Sequence, residues 1–287
     1  ASSGVLTTAG AIKCADLSTE GKIVYVSGSS ASKPFIQQIA QQLVSSDVYV
    51  VYTSTGSCTG VDSVINRTPI KEAGLSSATY WGSPSSTGET CALGNSTVAA
   101  DIGVSDVFPQ TCAGFELVNL EAQSVVDAHG PIQTMVFAVP SNSKIAEISA
   151  QAAYFVFGFG ASGNVFDPTG TNVIWNDESY LFQRSATSGT QAMLAAVIGV
   201  PSSQWRGVYH KTSDDIVSSL QRAGSNSDTA NRAIGILAAD YIDSKNLRAT
   251  IRALAFQDTN QKCAMYPDSS PTARDKINVR DGHYPIW

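Results

Sequence analysis

The segment Arg184-Ser185-Ala186-Thr187-Ser188-Gly189-Thr190 places a fixed planar cation beside hydroxyls and a glycine, at what reads as a strand-to-helix junction. A helix N-terminus offers free N–H groups and partial positive charge, and glycine lets the backbone approach a ligand closely. Arg184 suits an oxyanion, and Ser188 and Thr190 add hydroxyl donors. The plainer reading is a Ser/Thr helix cap beside a surface arginine. Three loops in the first half repeat the theme. Ser32 heads a helix after Gly28-Ser29-Ser30-Ala31, Ser57 heads another within Thr55–Gly60, and Ser105-Asp106 follows a third strand. Singly, each reads as capping; four at strand ends in one chain ask for more.

The elements that position these loops alternate. Strands are expected at Lys22–Val26, Val48–Tyr52 and Ala99–Ile102, each running into a small polar turn. The first intervening helix shows one apolar face through Phe35, Ile36, Ile39, Leu43 and Val44, with Ser32 as N-cap and Pro34 in its first turn. A shorter helix carries Val61, Val64 and Ile65. Residues Gly74–Thr97 read as an irregular polar excursion. Further on, strands are expected at Pro131–Val139, Tyr180–Arg184, Ala233–Leu237 and Leu254–Gln257. Helices are expected at Lys144–Phe157, through Met193–Ile198, and at Ile216–Ala223, and Asn164–Asp177 reads as loop. This is the α/β pattern, in which ligands sit at the carboxyl ends of strands.

The 287 residues suit two ordinary domains, and 43% hydrophobic content with near-zero mean hydropathy supports buried cores. A net charge of −6 leaves no basic face for non-specific nucleic-acid binding. The chain has no apolar run long enough to span a membrane. It opens on small polar residues from Ala1, the pattern left by leader cleavage, so a periplasmic or extracellular location is expected. The five cysteines, Cys14, Cys58, Cys91, Cys112 and Cys263, form no metal-ligand spacing, and no zinc or other cofactor is expected. One or two disulfides with an odd cysteine fit an oxidising compartment; Cys58 with Cys91 is the preferred pair. Asn66-Arg67-Thr68 and Asn95-Ser96-Thr97 are formal glycosylation sequons.

The segments GSSASKPF, TGSCTGV, DIGVSD and RSATSGT, in that order, resemble the ligand loops of phosphate-binding proteins of bacterial ABC importers. AIGILAADYI and YPIW resemble later parts of the same proteins, so the likeness spans Lys22 to the C-terminus. The resemblance implies a two-domain type II periplasmic-binding-protein fold, with 1–135 plus 256–287 as the first domain and 136–255 as the second. Crossing strands would join them, and a cleft would hold phosphate or a similar tetrahedral oxyanion. It also implies a monomer, a permease partner and no catalysis. Carried over by position, Ser32, the Lys33 N–H and Ser57 would bind from one side, and Arg184, Ser188, the Gly189 N–H and Thr190 from the other. Asp106 would accept a proton from the ligand, favouring hydrogen phosphate over sulfate. The chain departs from the pattern in several ways. The acidic residue usual between the Arg and the Ser-Gly-Thr is absent, Ser185, Ala186 and Thr187 standing there. Lys33 replaces a frequent aromatic, and Cys58 and Thr59 replace a small pair. The family also continues past the position of Trp287 with further helices of its first domain.

Two rivals remain. A secreted or surface module with the receptor fold and no transport role is favoured by the polar excursion and the altered arginine loop. A serine hydrolase is suggested by Ser30-Ala31-Ser32-Lys33 as S-x-x-K with Lys211-Thr212-Ser213, although Ser227-Asp228-Thr229 comes in the wrong order and lacks the asparagine. Gly158-x-Gly160-x-x-Gly163 matches a dinucleotide fingerprint but does not open a helix.

Overall fold

The computed structural model describes residues 12–18, 22–71, 76–95, 97–130, 132–167 and 169–287. The expected leader-cleavage end, Gly74 of the polar excursion, Ser96 of the second sequon and Pro131 lie outside them.

Two five-stranded sheets organise the chain. The first contains β1 (Lys22–Gly28), β2 (Val48–Ser54), β3 (Ser77–Tyr80), β4 (Glu89–Ala92) and β5 (Ile102–Val104), in the order β4-β3-β2-β1-β5. β1 pairs in parallel with β2 and β5, while β3 and β4 are antiparallel additions. Helix α1 (Lys33–Leu43) follows β1 and α2 (Ser57–Ile65) follows β2. Thus the excursion expected to be irregular contains a hairpin; Ala78 and Cys91 share a register position and both are buried. The third strand also starts later than expected, because Asp101 instead accepts the Tyr25 N–H with its carboxylate.

The second sheet contains β6 (Met135–Pro140), β10 (Leu181–Gln183), β11 (Val208–Tyr209), β12 (Ile234–Ala238) and β13 (Ile251–Ala253), in the order β11-β10-β12-β6-β13. β7 (Glu147–Ser149) pairs with β14 (Ala255–Gln257), and β8 (Val165–Phe166) with β9 (Val173–Ile174). The segment 144–157 is therefore strand before helix: Ser149 is extended, its hydroxyl accepts the Ala152 N–H, and α3 (Ala150–Phe159) begins there. The 164–177 loop likewise holds a short ribbon. The remaining helices are α4 (Gly189–Ile198), α5 (Ser213–Ala223), α6 (Ser227–Arg232), α7 (Ala239–Ser244) and α8 (Ile277–Arg280). All six residues of β6 are buried and read as a continuous apolar run, as expected for a strand covered on both faces.

Every strand of the first sheet precedes every strand of the second, and among the described residues of 105–134 the passage holds only a short 3-10 turn. The larger core collects Met135–Val139, α3, α4, α5 and β12. Phe256, Tyr284 and Ile286, expected in the first domain's share of the chain, pack into this core.

The disulfides are Cys14–Cys91 and Cys58–Cys112, not Cys58–Cys91; Cys263 is free and exposed. The reason is strand position. Cys91 lies in β4 beside the bridge between Lys13 and Ala92, which brings Cys14 to it, whereas Cys58 opens α2 and faces the chain beyond β5. By the chain-entropy relation, a closure spanning 77 residues contributes roughly 4 kcal/mol. We therefore expect the Cys14→Ala/Cys91→Ala variant to lose about 2–4 kcal/mol in urea unfolding, and Cys263→Ser to lose almost nothing. Equal stability of the double variant and wild type would contradict this pairing.

Candidate functional site

The parallel strands deliver their carboxyl ends to one place. β1 leads into Ser29–Ser32, β2 into Gly56-Ser57, and β5 into Ser105-Asp106. In the second sheet, β10 leads into Arg184 and β11 into His210–Ser213. These loops touch across the sheets: Arg184 donates to Ser30, and the Cys58 N–H donates to the Thr187 carbonyl at 3.1 Å.

Asp106 is the anionic centre. Its Oδ2 accepts from Ser29 Oγ at 2.5 Å and Ser57 Oγ at 3.3 Å, and its Oδ1 from Ser32 Oγ at 3.2 Å. The Asp106 N–H donates back to Ser57 Oγ at 3.1 Å. Burial raises the carboxyl above its ordinary pKa, while the three serine hydroxyls and Arg184 pull the other way. The Ser29 loop is itself held by the Tyr52 hydroxyl, which donates to the Ser29 carbonyl.

Arg184 is the cationic centre and is only 2% exposed. Its Nε donates to the His210 carbonyl at 3.2 Å and its Nη2 to the Lys211 carbonyl at 2.8 Å. Its Nη1 reaches Ser30 Oγ at 2.8 Å and Ser213 Oγ at 3.2 Å. Those two hydroxyls lie 3.1 Å apart. No carboxylate forms an ion pair with Arg184 among the described residues. Burial lowers the guanidinium's pKa and nearby Asp106 raises it, but an arginine stays charged in either case. Gln191 fixes the backbone beneath by accepting the Arg184 N–H at 2.7 Å.

Three helix N-termini meet these two centres without side-chain caps. Ser32 occupies the N-cap position of α1, as expected, yet its hydroxyl goes to Asp106. α2 begins from Gly56 at φ 120°, making Ser57 its first residue and leaving its hydroxyl free for Asp106. Ser188 precedes α4 with no side-chain cap bond. By contrast α5 is closed by a full capping box between Thr212 and Asp215. Gly189 is required by proximity: a Cβ there would lie 2.3 Å from Ser57 Oγ and 2.8 Å from Asp106 Cβ.

The sequence-predicted residues are thus mostly gathered. Ser32, Ser57 and Asp106 are hydrogen bonded together, and Gly189 lies over them. Ser188 is buried, and Thr190 is 1% exposed with its hydroxyl buried and unpartnered. Lys33 differs: its N–H donates to the Ser30 carbonyl at 3.4 Å instead of standing free. Sequence reading missed Ser29 and Tyr52, and named Ser30 and Ser213 only within the hydrolase motifs, not as partners of Arg184. Ser29 and Ser30 stand in the small-residue loop after β1, and the pattern Thr212-x-x-Asp215 marks the helix start that carries Ser213.

Two sheets with parallel strands, each sending loops to a shared anion-compatible centre, define a class: the two-domain fold of periplasmic solute-binding proteins. Among solved structures with this fold is one from Clostridium perfringens, named as a phosphate ABC transporter substrate-binding protein with bound phosphate. It shares 14% identity at a TM-score of 0.57, over 92% of this chain and 83% of that one. A second, named as an ABC-type phosphate transport receptor from Vibrio cholerae, shares 12% identity at a TM-score of 0.48, over 92% and 83%. The first likeness establishes the fold. No family model and no curated protein matches the sequence.

Asp106→Asn separates the charge of this site from its shape. A raised folded-state pKa means the folded protein binds the proton more readily than the unfolded chain, so stability falls as pH rises through that value. Without ligand, Asp106→Asn should be more stable than wild type at pH 8, with the gap closing as pH falls toward about 4. Melting curves across pH test this; a destabilised variant at pH 8 would show that the serine hydroxyls outweigh burial.

Proposed function

We propose that this chain is an extracytoplasmic solute-binding protein that closes on phosphate or a related tetrahedral oxyanion without catalysis. The observation that carries the reading is the buried Arg184, held by carbonyls and hydroxyls with no carboxylate in direct ion pair among the described residues. An oxyanion beside it supplies the missing charge. The hydroxyls of Ser29, Ser32 and Ser57 can rotate from Asp106 to the ligand, and the unpartnered Thr190 hydroxyl and the N-terminus of α4 complete the donors. Asp106 then needs a donor in exchange, which a protonated oxyanion provides and sulfate does not. Export fits the two disulfides, and no helix among the described residues is long and apolar enough to cross a membrane. Coupling to an ABC permease belongs to the same proposal.

One observation favours a surface module without transport: the serine hydroxyls are already satisfied by Asp106, and Ser30 and Ser213 already link the two sides. The hydrolase reading has less support, since Ser30 is engaged by Arg184 and Ser213 and no hydrogen bond joins it to the Lys33 ammonium.

Calorimetric titration of phosphate into unfolded, ligand-stripped and refolded protein, with sulfate as control, tests the proposal. Saturable binding of phosphate alone is expected, with Arg184→Ala weakening it by roughly 10- to 150-fold, the worth of about 1.5–3 kcal/mol for a charge-assisted contact. Gly189→Ala should also weaken it, because α4 cannot then approach Ser57. Unchanged affinity in Arg184→Ala would refute the site, and no binding of either anion would favour the module.

A further inference from the structure

A second arginine repeats the arrangement of Arg184 well along the chain. Arg252, on β13, donates from Nη2 to the carbonyls of Ser143 and Ile145, both at 2.6 Å, and its Nε is buried without an acceptor. No carboxylate pairs with it among the described residues. It lines a cleft of about 250 Å³ between α7, β13 and the segment 266–274. Arg248 and Arg274 line the same cleft.

The charges around it are unevenly spent. Asp268 is the acidic group in the lining, and it is 3% exposed with both oxygens occupied. Its Oδ1 accepts the Lys276 N–H and ammonium, and its Oδ2 accepts Arg248 Nη2. Asp243, beyond the lining, is taken up by Arg248 and Lys276. Arg274 is half exposed and reaches Asp243 only at 3.9 Å. The cleft therefore keeps two cations, Arg252 and Arg274, whose charge the protein does not neutralise at close range. A charge held only by carbonyl dipoles in a partly desolvated place gains most from a counter-charge. The hydroxyls of Ser270 and Thr272 add donors at the rim, while Ile242 and Pro271 give an apolar wall.

We propose that this cleft is a second binding site, for a small organic anion: a carboxylate or phosphate head between Arg252 and Arg274, with an apolar body against Ile242. Its volume lies below the range of drug-sized pockets, so the ligand is smaller than a nucleotide. The site uses none of the residues at Asp106 or Arg184 and does not depend on what binds there.

Phenyl phosphate carries both required features and is the probe. Titrated into the full chain, it should bind one-to-one and saturate, with a Kd below about 1 mM. Binding should persist in Arg184→Ala and weaken at least about tenfold in Arg252→Gln and in Arg274→Gln. Arg274 is exposed enough for its substitution to leave the fold intact, so its variant decides the matter if Arg252→Gln misfolds. Benzoate in a parallel titration separates carboxylate from phosphate heads. No saturation by either compound up to about 10 mM overturns the proposal. So does phenyl phosphate binding that is lost in Arg184→Ala and kept in Arg274→Gln, which would put it in the cleft of Arg184.

Discussion

A buried guanidinium without a carboxylate is the constraint around which the molecule is arranged. Taking such a charge out of water costs several kcal/mol, and Arg184 recovers this through four oxygens from two separate loops. At about 1.5–3 kcal/mol for each charge-assisted bond, the four bonds can offset the desolvation. They leave the positive charge itself uncancelled. Because the acceptors are backbone carbonyls at His210 and Lys211, the end of β11 must lie where it does for the arginine to be tolerated. The capping box of Thr212 and Asp215 fixes that end, which places Ser213 against Arg184.

Opposite this cation, a carboxylate is surrounded by the hydroxyls of Ser29, Ser32 and Ser57. Ser32, at the N-cap position of α1, gives its hydroxyl to Asp106 in place of a cap worth about 1 kcal/mol, and Ser57, the first residue of α2, turns its hydroxyl to the same carboxylate. Local stability is thereby exchanged for convergence. The Cys58–Cys112 disulfide braces the same region by tying the first turn of α2 to the chain beyond Asp106.

Much of this was legible in the residues, and the reasons differ by element. The buried strands show as apolar runs, because burial on both faces permits little else; Met135–Pro140, antiparallel to both of its neighbours, is the clearest case. The site loops show because a strand end, a hydroxyl and a glycine coincide in one short segment. Polar composition concealed the hairpin at Ser77–Ala92, one strand of which is tied by Cys91 to Cys14 far back in sequence. Ser29 and Ser213 were hidden for another reason. A buried serine looks like any surface serine until the fold shows what it faces. The disulfide pairing was similarly out of reach, since five cysteines on separate elements pair according to strand order.

The sequential arrangement of the sheets bears on how the chain assembles. All strand pairing of the first sheet, and both disulfides, involve residues up to 112, and all pairing of the second begins at Met135. Neither half must wait for the other to complete its hydrogen-bonded framework, so a chain emerging N-terminus first can fold vectorially. The step that joins the two halves brings Ser30 to Arg184 and Cys58 to Thr187. That step is a docking of two finished surfaces.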